Sequence, residues 1–468
     1  MNRMNKKESR RTFIAKTTAA AAGVSMGLTA LGAARTSGLH SARDRVRMGF
    51  IGIGNRGSQL LRMFMQFDDV EVAALCDVYE PYVTRDRSRV DPRYIKELNG
   101  RIPALDEKFP RPPKTYSDYR KLLEDRDVDA VCIATPDHWH ALQTIHAIQA
   151  GKDVYVEKPL TITLSEGRKM VEVQAASKQV VQVGLNRRGN MVYQKLARDI
   201  RAGKIGKVSL ARAARISNMY PDGIGKYKPE EPPRGFNWDM WLGPRAYRSY
   251  QYNMAPYKFR WWSDFSSQMG NWGVHYMDAI RWMMGETAPA AITAHGGKYV
   301  LDHDSDIPDT MQVTFEFASG SIISFGIYEA SSGQLFPYGE LELRGTKGNL
   351  YSDERGYQIH PASAGQFQEW DAPIEAEEFK NPNKDLPDGS SYDSTSGLIR
   401  DFLDCIGSRQ TTLCTLEDGH RSTSFAHLAN IALATRERLI WDPDNEKFTN
   451  SERANEMLQY EYRKPWKL

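Results

Sequence analysis

The stretch that decides the fold is residues 46–60, VRMGFIGIGNRGSQL. It combines an apolar strand, a glycine-rich turn of the pattern G-x-G-x-x-G and the start of a helix. In that setting the glycines let the backbone approach a pyrophosphate, and the helix N-terminus receives its charge. We therefore predict a dinucleotide-binding turn made by Gly52, Ile53, Gly54, Asn55, Arg56 and Gly57.

The residues that follow alternate between strand and helix patterns as far as residue 185. The strands are short and almost continuously apolar, as in VEVAALC (70–76) and DVYV (153–156). Such strands, separated by helical patterns, predict a parallel, doubly wound sheet with helices on both faces. We predict a Rossmann domain over 46–185, with a basic, proline-rich loop at 81–114 and a helix capped by Ser117.

The remainder, residues 186–468, has a different sequence pattern. Aromatic-rich loops occupy 216–262, and a helix is predicted at about 270–285. Period-2 segments with glycine turns follow, and two late helices are expected at about 394–408 and 417–438. The predicted fold class is α/β, with an N-terminal Rossmann sheet and a C-terminal α/β domain containing a large, open-faced, mostly antiparallel sheet.

Residues 1–34 are interpreted as a targeting segment. Arg10 and Arg11 precede Phe13 and a run of small residues, which is typical of a twin-arginine export signal. Glycine, serine and threonine interrupt the apolar run, so no membrane span is expected in the mature protein. The segment predicts a periplasmic protein exported in the folded state. The alternative is a disordered basic N-terminus.

Charge and cysteine content exclude several classes of protein. The net charge is +3, and residues 1–34 contribute +5, so the remainder carries −2 and no basic stripe for nucleic acid. The four cysteines are too few for a disulfide scaffold. Cys76 and Cys132 are predicted to be buried thiols, whereas pairing of Cys405 with Cys414 is left open.

The cofactor preference is predicted from the end of the second strand. Asp77 lies 20 residues after Gly57. A carboxylate there accepts hydrogen bonds from the adenosine ribose and repels a 2′-phosphate, which favours NAD over NADP. Arg85 and Arg87 lie nearby and weaken that preference.

Two further loops are expected to reach the cofactor, because loops at the carboxyl ends of Rossmann strands line the cleft. The first is IATPDHWH, residues 133–140. Its predicted cofactor contacts are Thr135, Pro136, His138 and His140. The two histidines do not match a metal-ligand spacing, so no metal is expected. Asn186, at the end of the QVGLN strand, is also assigned to the cofactor.

The run DVYVEKP (153–159) ends a buried strand with a carboxylate, an ammonium group and a proline. Lys158 can hydrogen-bond a substrate hydroxyl and favour the alkoxide character that develops during hydride transfer. Glu157 can bind the nicotinamide ribose, and Pro159 can fix the turn through a cis bond. The alternative is an ordinary surface Glu-Lys pair.

Together with GNWGVHYMD (270–278), these motifs resemble the Gfo/Idh/MocA oxidoreductases across nearly the whole chain after the leader. The resemblance implies a Rossmann domain, an open-faced α/β domain, a nicotinamide cofactor and polyol or sugar substrates. It also implies a homodimer or homotetramer formed through the open sheet. The family's catalytic lysine corresponds to Lys158, and its D-x-x-x-H motif corresponds to residues 271–275.

The sequence departs from the family pattern at Asn271, where the motif has aspartate. His275 remains and is predicted to remove the hydroxyl proton. Asp278, three residues beyond His275, can take the place of the missing carboxylate. The alternative is a structural histidine packed beside Trp272 and Tyr276.

Substrate contacts are predicted from two stretches. Arg187 and Arg188 follow a strand that ends where the cleft should open. Trp261, Trp262 and Asp264 offer indole faces for a sugar ring and a carboxylate for its hydroxyls. The alternative for the tryptophans is core between the domains. The run DHDSD (302–306) lacks the calcium-loop pattern and is interpreted as a surface loop.

Export constrains the predicted function, because the periplasm should hold little free NAD. We expect tightly bound NAD, loaded before export and regenerated in place. The leading hypothesis is dehydrogenation of a sugar or glycoside, at a ring hydroxyl such as C3. The first alternative is a redox-neutral NAD-dependent glycosidase or epimerase, although the Tyr-Pro-Thr-His-Gly run of such glycosidases is replaced here by NRRGNMVYQ. The second is a catalytically silent sugar-binding or scaffolding protein.

Overall fold

The computed structural model describes residues 45–98, 100–363, 365–367, 374–382 and 394–468. The described elements belong to one compact unit, Val46–Leu468. The predicted export signal, residues 1–34, lies outside the described residues.

The N-terminal sheet has six parallel strands in the order β3-β2-β1-β4-β5-β6, which is the Rossmann order. The order reverses direction between β1 and β4, and this position forms the crevice for a dinucleotide. The strands are β1 (Val46–Ile51), β2 (Val70–Cys76), β3 (Lys114–Tyr116), β4 (Ala130–Ile133), β5 (Asp153–Val156) and β6 (Val181–Val183).

The helices that connect these strands bury their apolar residues against both faces of the sheet. They are α1 (Asn55–Phe64), α2 (Glu80–Thr84), α3 (Pro92–Glu97), α4 (Tyr119–Leu123), α5 (His140–Gln149) and α6 (Leu164–Ala175). The parallel doubly wound sheet is thereby confirmed. The expected loop at 81–114 is wrong, since it contains α3, most of α2 and the first residue of β3. The cap of α4 is Asp118 rather than Ser117, because its carboxylate accepts a hydrogen bond from the amide of Arg120.

The C-terminal sheet has ten strands in the order β14-β13-β12-β11-β7-β10-β9-β8-β15-β16. Strands β7 and β10 pair in parallel, and the other neighbouring pairs are antiparallel. The strands are β7 (Val208–Ile216), β8 (Ala291–Gly297), β9 (Thr310–Glu316), β10 (Ile322–Tyr328), β11 (Leu341–Gly345), β12 (Gly348–Asp353), β13 (Gly356–Pro361), β14 (Glu377–Lys380), β15 (Leu439–Asp442) and β16 (Lys447–Phe448).

Helices cover one face of this sheet and form the largest core with it. The opposite face carries partly exposed polar side chains such as Gln312 and Ser324, so the mostly antiparallel, open-faced sheet is confirmed. The remaining helices are α7 (Met191–Arg201), α8 (Trp238–Leu242), α9 (Val274–Met284), α10 (Ser394–Ser408), α11 (Leu416–Thr435) and α12 (Glu452–Glu456). A single π-helical turn, Met269–Gly273, leads directly into α9.

The described part of the chain contains neither a candidate membrane-spanning helix nor a disulfide. None of its helices combines the length and apolar character needed to cross a membrane. All four cysteines are buried and free, so Cys405 and Cys414 do not form a disulfide.

Candidate active site

The glycine turn closes because two of its positions leave no room for a side chain. At Gly52, φ is +79°, and an added Cβ would lie 2.7 Å from the backbone nitrogen of Thr135. At Gly57, an added Cβ would lie 1.8 Å from the carbonyl oxygen of Gly52. The turn runs from β1 into α1, which is the setting the sequence predicted for a pyrophosphate cradle.

Asp77 lies at the end of β2 beside this turn. Its carboxylate accepts hydrogen bonds from the amides of Ile53 (2.8 Å) and Tyr79 (3.0 Å), and burial raises its pKa to about 6. Arg85 is bound to Glu107, and Arg87 donates to the carbonyl oxygen of Pro103 at 2.7 Å. Neither arginine lines the cavity that Asp77 faces, so a 2′-phosphate would find no cation from either side chain there.

A cavity of about 630 Å³, here called the first cavity, extends from this turn to the C-terminal sheet. The N-terminal domain contributes carboxyl-end residues to its wall, including Gly52, Gly54, Asp77, Thr135, Pro136 and Lys158. The C-terminal domain contributes Arg215, Arg260, Trp261, Asn271, Trp272 and Glu329. Asn55 and Arg56 also line it, whereas the Ile53 side chain is fully buried in the core.

A second cavity of about 490 Å³ adjoins the first. The two share Arg56, Glu157, Lys158 and Trp272. The walls that belong to the second cavity alone include Asn186, Arg187, His275, Glu354, Arg355 and Asn381. Lys158 therefore lies where the two cavities meet.

Lys158 follows β5, and its peptide bond to Pro159 is cis. Its Nζ donates to the backbone oxygen of Asn271 at 2.8 Å and to Asn271 Oδ1 at 3.3 Å. Burial lowers the pKa of Lys158 to about 8, an effect that the negative charges of Glu157 and Asp137 partly oppose. The amine is thus close to its titration point near neutral pH, as proton-transfer chemistry requires.

Glu157 is held on both oxygens. Oε1 accepts from Nε of Arg56 at 2.8 Å, and Oε2 accepts from the Lys158 amide at 3.1 Å. Glu157 is buried, so this ion pair fixes a negative charge at the junction of the cavities. The contact of Glu157 to a nicotinamide ribose stays a prediction.

His275 lies in the first turn of α9 and lines the second cavity. Its Nδ1 is buried and has no hydrogen-bond partner among the described residues. Burial, and next the positive charges of Lys158 and Arg187, lower its pKa well below the usual value. The ring is therefore neutral at pH 7, and the same shift makes it a weaker base than a free histidine.

Asn186 and Arg187 also line the second cavity, beyond the end of β6. Arg187 pairs with Glu340 at 2.6 Å and lies over the ring of Tyr276. Asn186 Oδ1 is buried and accepts no hydrogen bond from the described residues. Both residues predicted here thus face a space next to Lys158.

Arg188 and Asp278 lie elsewhere, in a buried network within the C-terminal domain. Arg188 pairs with Asp278 at 2.9 Å and with Asp418 at 3.0 Å, and the Ser422 hydroxyl donates to Asp278 at 2.6 Å. Neither residue lines either cavity. Because Arg188 and Asp278 form an ion pair with each other, this geometry argues against substrate contact by Arg188. It also argues against Asp278 as a replacement for the carboxylate that the family motif has at position 271.

The two predicted histidines of the 133–140 loop are also occupied by the protein. His138 Nε2 bonds to the carbonyl oxygen of Trp241 at 2.9 Å, and His140 bridges the carbonyl oxygens of Pro159 (2.7 Å) and Thr135 (2.9 Å). Both rings are buried and line neither cavity. Their side chains support the loop, while Thr135 and Pro136 form its cavity surface.

Of the three substrate contacts predicted at Trp261, Trp262 and Asp264, only Trp261 lines a cavity. Trp261 lines the first cavity, and its Nε1 donates to both carboxylate oxygens of Glu329 at 3.0 Å. Trp262 is buried in the core and donates to the carbonyl oxygen of Asn253 at 2.8 Å. Asp264 pairs with Arg245 and Arg248. The geometry therefore argues against direct substrate contact by Trp262 and Asp264.

Several cavity residues were not anticipated from the sequence, namely Asp137, Arg215, Arg260 and Glu329. Asp137 is buried beside Ser266, which donates to it. Glu329 directly follows the apolar strand β10, which is the signal that drew attention to Glu157 and Lys158. Among the described residues, no cluster of three or more His, Cys, Asp or Glu is arranged to hold a metal ion.

Comparison with known proteins gives the setting of this site. Residues 46–185 match a family model described as an oxidoreductase family with an NAD-binding Rossmann fold, and residues 194–468 match its C-terminal alpha/beta domain. Inositol 2-dehydrogenase of Salmonella typhimurium is 32% identical over 164 residues, which are 35% of this chain and 43% of that protein. A glycosyl hydrolase family 109 protein of Shewanella pealeana is 36% identical over 132 residues, or 28% of this chain and 26% of that protein.

The chain thus spans less than half the length of each of these curated relatives. A levoglucosan dehydrogenase, solved in complex with NADH and levoglucosan, has a TM-score of 0.59 at 19% identity. That likeness covers 85% of this chain and 99% of the other, and it bears on the fold. With family models matched across both domains, the chain belongs to the Gfo/Idh/MocA oxidoreductase family and carries its NAD-binding Rossmann fold.

Proposed function

We propose that this protein is an exported oxidoreductase that uses tightly held NAD to act on a hydroxyl group of a sugar or glycoside. The observation that carries the proposal is the position of Lys158, whose amine lies where the dinucleotide cavity meets the cavity lined by His275. Inositol 2-dehydrogenase among the relatives, and levoglucosan dehydrogenase among similar structures, support the substrate class.

The residues present fit NAD. The closed glycine turn would hold its pyrophosphate, Asp77 its adenosine ribose and Glu157 its nicotinamide ribose. Bound NAD supplies a hydride acceptor. Gly57, whose added Cβ would collide with the carbonyl oxygen of Gly52, lets the turn close this tightly.

The chain's own groups supply proton handling at the hydroxyl. Lys158, as an ammonium ion, donates a hydrogen bond to the hydroxyl oxygen and stabilises its developing negative charge. His275, neutral at pH 7, takes the hydroxyl proton. Asn271 orients the ammonium group without adding a negative charge, since its side chain is an amide.

Export by the twin-arginine route, periplasmic location and a homodimer or homotetramer remain proposals. The Arg10-Arg11 segment supports the first two, and the broad uncovered sheet face supports the third. Replacement of Arg10 and Arg11 by lysine should retain the protein in the cytoplasm when cell fractions are compared. Unchanged periplasmic recovery of that variant would contradict export by this route.

A redox-neutral glycosidase is the second candidate, favoured by the 36% identity to a glycosyl hydrolase family 109 protein over 132 residues. In that case the ketone would form only transiently, and the aglycone would leave without net NADH. The two candidates therefore differ in their products.

The test is incubation of the purified full chain with myo-inositol, levoglucosan, glucose and nitrophenyl glycosides, with and without added NAD and a keto-sugar acceptor. NADH absorbance and a keto product support the dehydrogenase. Free nitrophenol without net NADH supports the glycosidase. Failure to retain NAD through purification, together with failure to bind NADH as followed by its fluorescence, would overturn both.

A further inference from the structure

The end of the first cavity within the C-terminal domain is built from two parallel strands, β7 and β10. Their register pairs Arg215 with Ile327. Glu329 lies two residues beyond Ile327, so both project to the same side, the side covered by helices. Arg215 and Glu329 are thus brought to one wall by strand pairing, although 114 residues separate them.

Glu329 is buried but incompletely bonded. Its side-chain partner is the indole N–H of Trp261, at 3.0 Å from each oxygen. Among the described residues Glu329 forms no ion pair, and Arg215 acts on it as a nearby positive charge. A carboxylate has about four acceptor positions, so one N–H leaves several directed at the cavity.

Arg215 offers hydrogen-bond donors where Glu329 offers acceptors. Its guanidinium lies 3.6 Å from the ring centroid of Trp272, the residue that follows Asn271. Its Nε is buried and has no acceptor among the described residues. The wall therefore presents unused donors and unused acceptors next to each other, close to the residue that holds Lys158.

We propose that Glu329 and Arg215 form a hydroxyl-binding subsite for the ring of a neutral sugar or polyol whose adjacent hydroxyl reacts beside Lys158. The proposal rests on the function proposed above. A hydroxyl both donates and accepts, so one hydroxyl can bond to Glu329 and Arg215 together. A carboxylate group at this position would instead place a like charge beside the ionised form of Glu329. Trp261 adds an indole surface and orients Glu329 through its N–H.

The subsite has a pH signature because Glu329 accepts the hydrogen bond in its ionised form. Burial raises the pKa of Glu329 to about 7, Trp261 and Arg215 lower it, and Asp309 raises it further. Because its pKa is about 7, the ionised form of Glu329 is fully populated only above pH 7. Sugar affinity should therefore rise as pH increases through about 7.

The test uses NAD-loaded protein and the sugar panel. Glu329→Gln removes the charge at nearly constant shape, and loss of a charged hydrogen bond of about 1.5–3 kcal/mol corresponds to about a 10- to 100-fold fall in kcat/KM. The fall should come mainly from KM, and the rise near pH 7 should disappear. The matched control is Glu316→Gln, at the far end of β9, where Glu316 pairs with Arg438. This variant should keep the wild-type KM and the rise near pH 7.

Trp261→Phe provides a second variant in case Glu329→Gln folds poorly. Loss of the indole N–H should move the rise to higher pH, an effect that simple loss of packing would not cause. Wild-type KM and an unchanged pH profile in Glu329→Gln would overturn the subsite while leaving the oxidoreductase proposal intact.

If no sugar is oxidised, binding of myo-inositol and methyl β-D-glucoside is followed by tryptophan fluorescence of the NADH-loaded protein. A saturable change that is lost in Glu329→Gln supports the subsite and shows that the proposed reaction, not the subsite, has failed. No saturable response in the wild type would overturn the subsite.

Discussion

The two cavities that meet at Lys158 differ in how the chain builds them. The N-terminal part of the first cavity is formed by backbone turns at strand ends, with Gly52 and Asp77 close together in sequence. The second is formed by side chains from distant segments, including Arg187, His275 and Glu354. The cofactor half of the site is therefore fixed by the strand ends of one domain. The second cavity and the end of the first cavity at Arg215 and Glu329 depend on how the two domains pack.

The two motif residues Asn271 and His275 therefore belong to different cavities and should have different roles. Asn271 lines the first cavity and His275 the second, although they are four residues apart. Asn271 belongs to the π-helical turn Met269–Gly273 and His275 to α9, so they do not occupy one regular helical face. Lys158 borders both cavities and should affect both.

The largest effect is expected from Lys158→Ala. Removal of the ammonium group that stabilises developing charge should reduce kcat by at least about 10²-fold, while NAD binding is kept. Steady-state rates and nucleotide fluorescence measure the two quantities. Lys121→Ala, an exposed lysine on α4 paired with Glu124, is the control. Near wild-type turnover of Lys158→Ala would remove the lysine from the mechanism.

A smaller effect is expected from His275→Ala, about 10- to 100-fold on kcat, because water in the second cavity can take over part of the proton transfer. The double variant with Lys158→Ala tests the separation of the cavities. If both groups act on one proton-transfer step, the double variant should be hardly slower than Lys158→Ala alone. Multiplicative losses would indicate that the two cavities serve independent steps.

The parts of the site that sequence predicts well are those in which chemistry and local structure coincide. Gly52, Asp77 and Lys158 each lie at or just beyond the carboxyl end of a strand whose apolar run is visible in the sequence. Strand periodicity therefore gives their position without knowledge of the packing. Glu329 carries the same signal, a carboxylate directly after an apolar strand.

The predictions that the geometry does not support concern side chains whose direction is set by distant partners. Trp261 and Trp262 are adjacent and chemically identical, yet Trp261 bonds to Glu329 in the cavity and Trp262 to the carbonyl oxygen of Asn253 in the core. The adjacent arginines also differ, since Arg187 pairs with Glu340 and Arg188 pairs with Asp278. Local sequence contains no information on which neighbour each member of such a pair will find.

The smallest but most specific effect is expected from Asn271→Asp, which restores the carboxylate of the family motif. The new carboxylate would lie about where Asn271 Oδ1 now lies, 3.3 Å from Lys158 Nζ. A negative charge at that distance favours the ammonium form, so the pKa of Lys158 should rise from about 8 toward its ordinary value.

Because Lys158 acts as a donor in its charged form, wild-type kcat/KM should fall as pH rises through about 8. In Asn271→Asp that fall should begin at higher pH, with little change at pH 7, where Lys158 is already protonated. Asn218→Asp, an amide-to-acid change that lines neither cavity, controls for added charge. A kcat/KM that instead rises as pH passes about 8, with that rise moved to higher pH in Asn271→Asp, would mean that Lys158 works as the neutral amine. The proton-accepting role would then pass from His275 to Lys158.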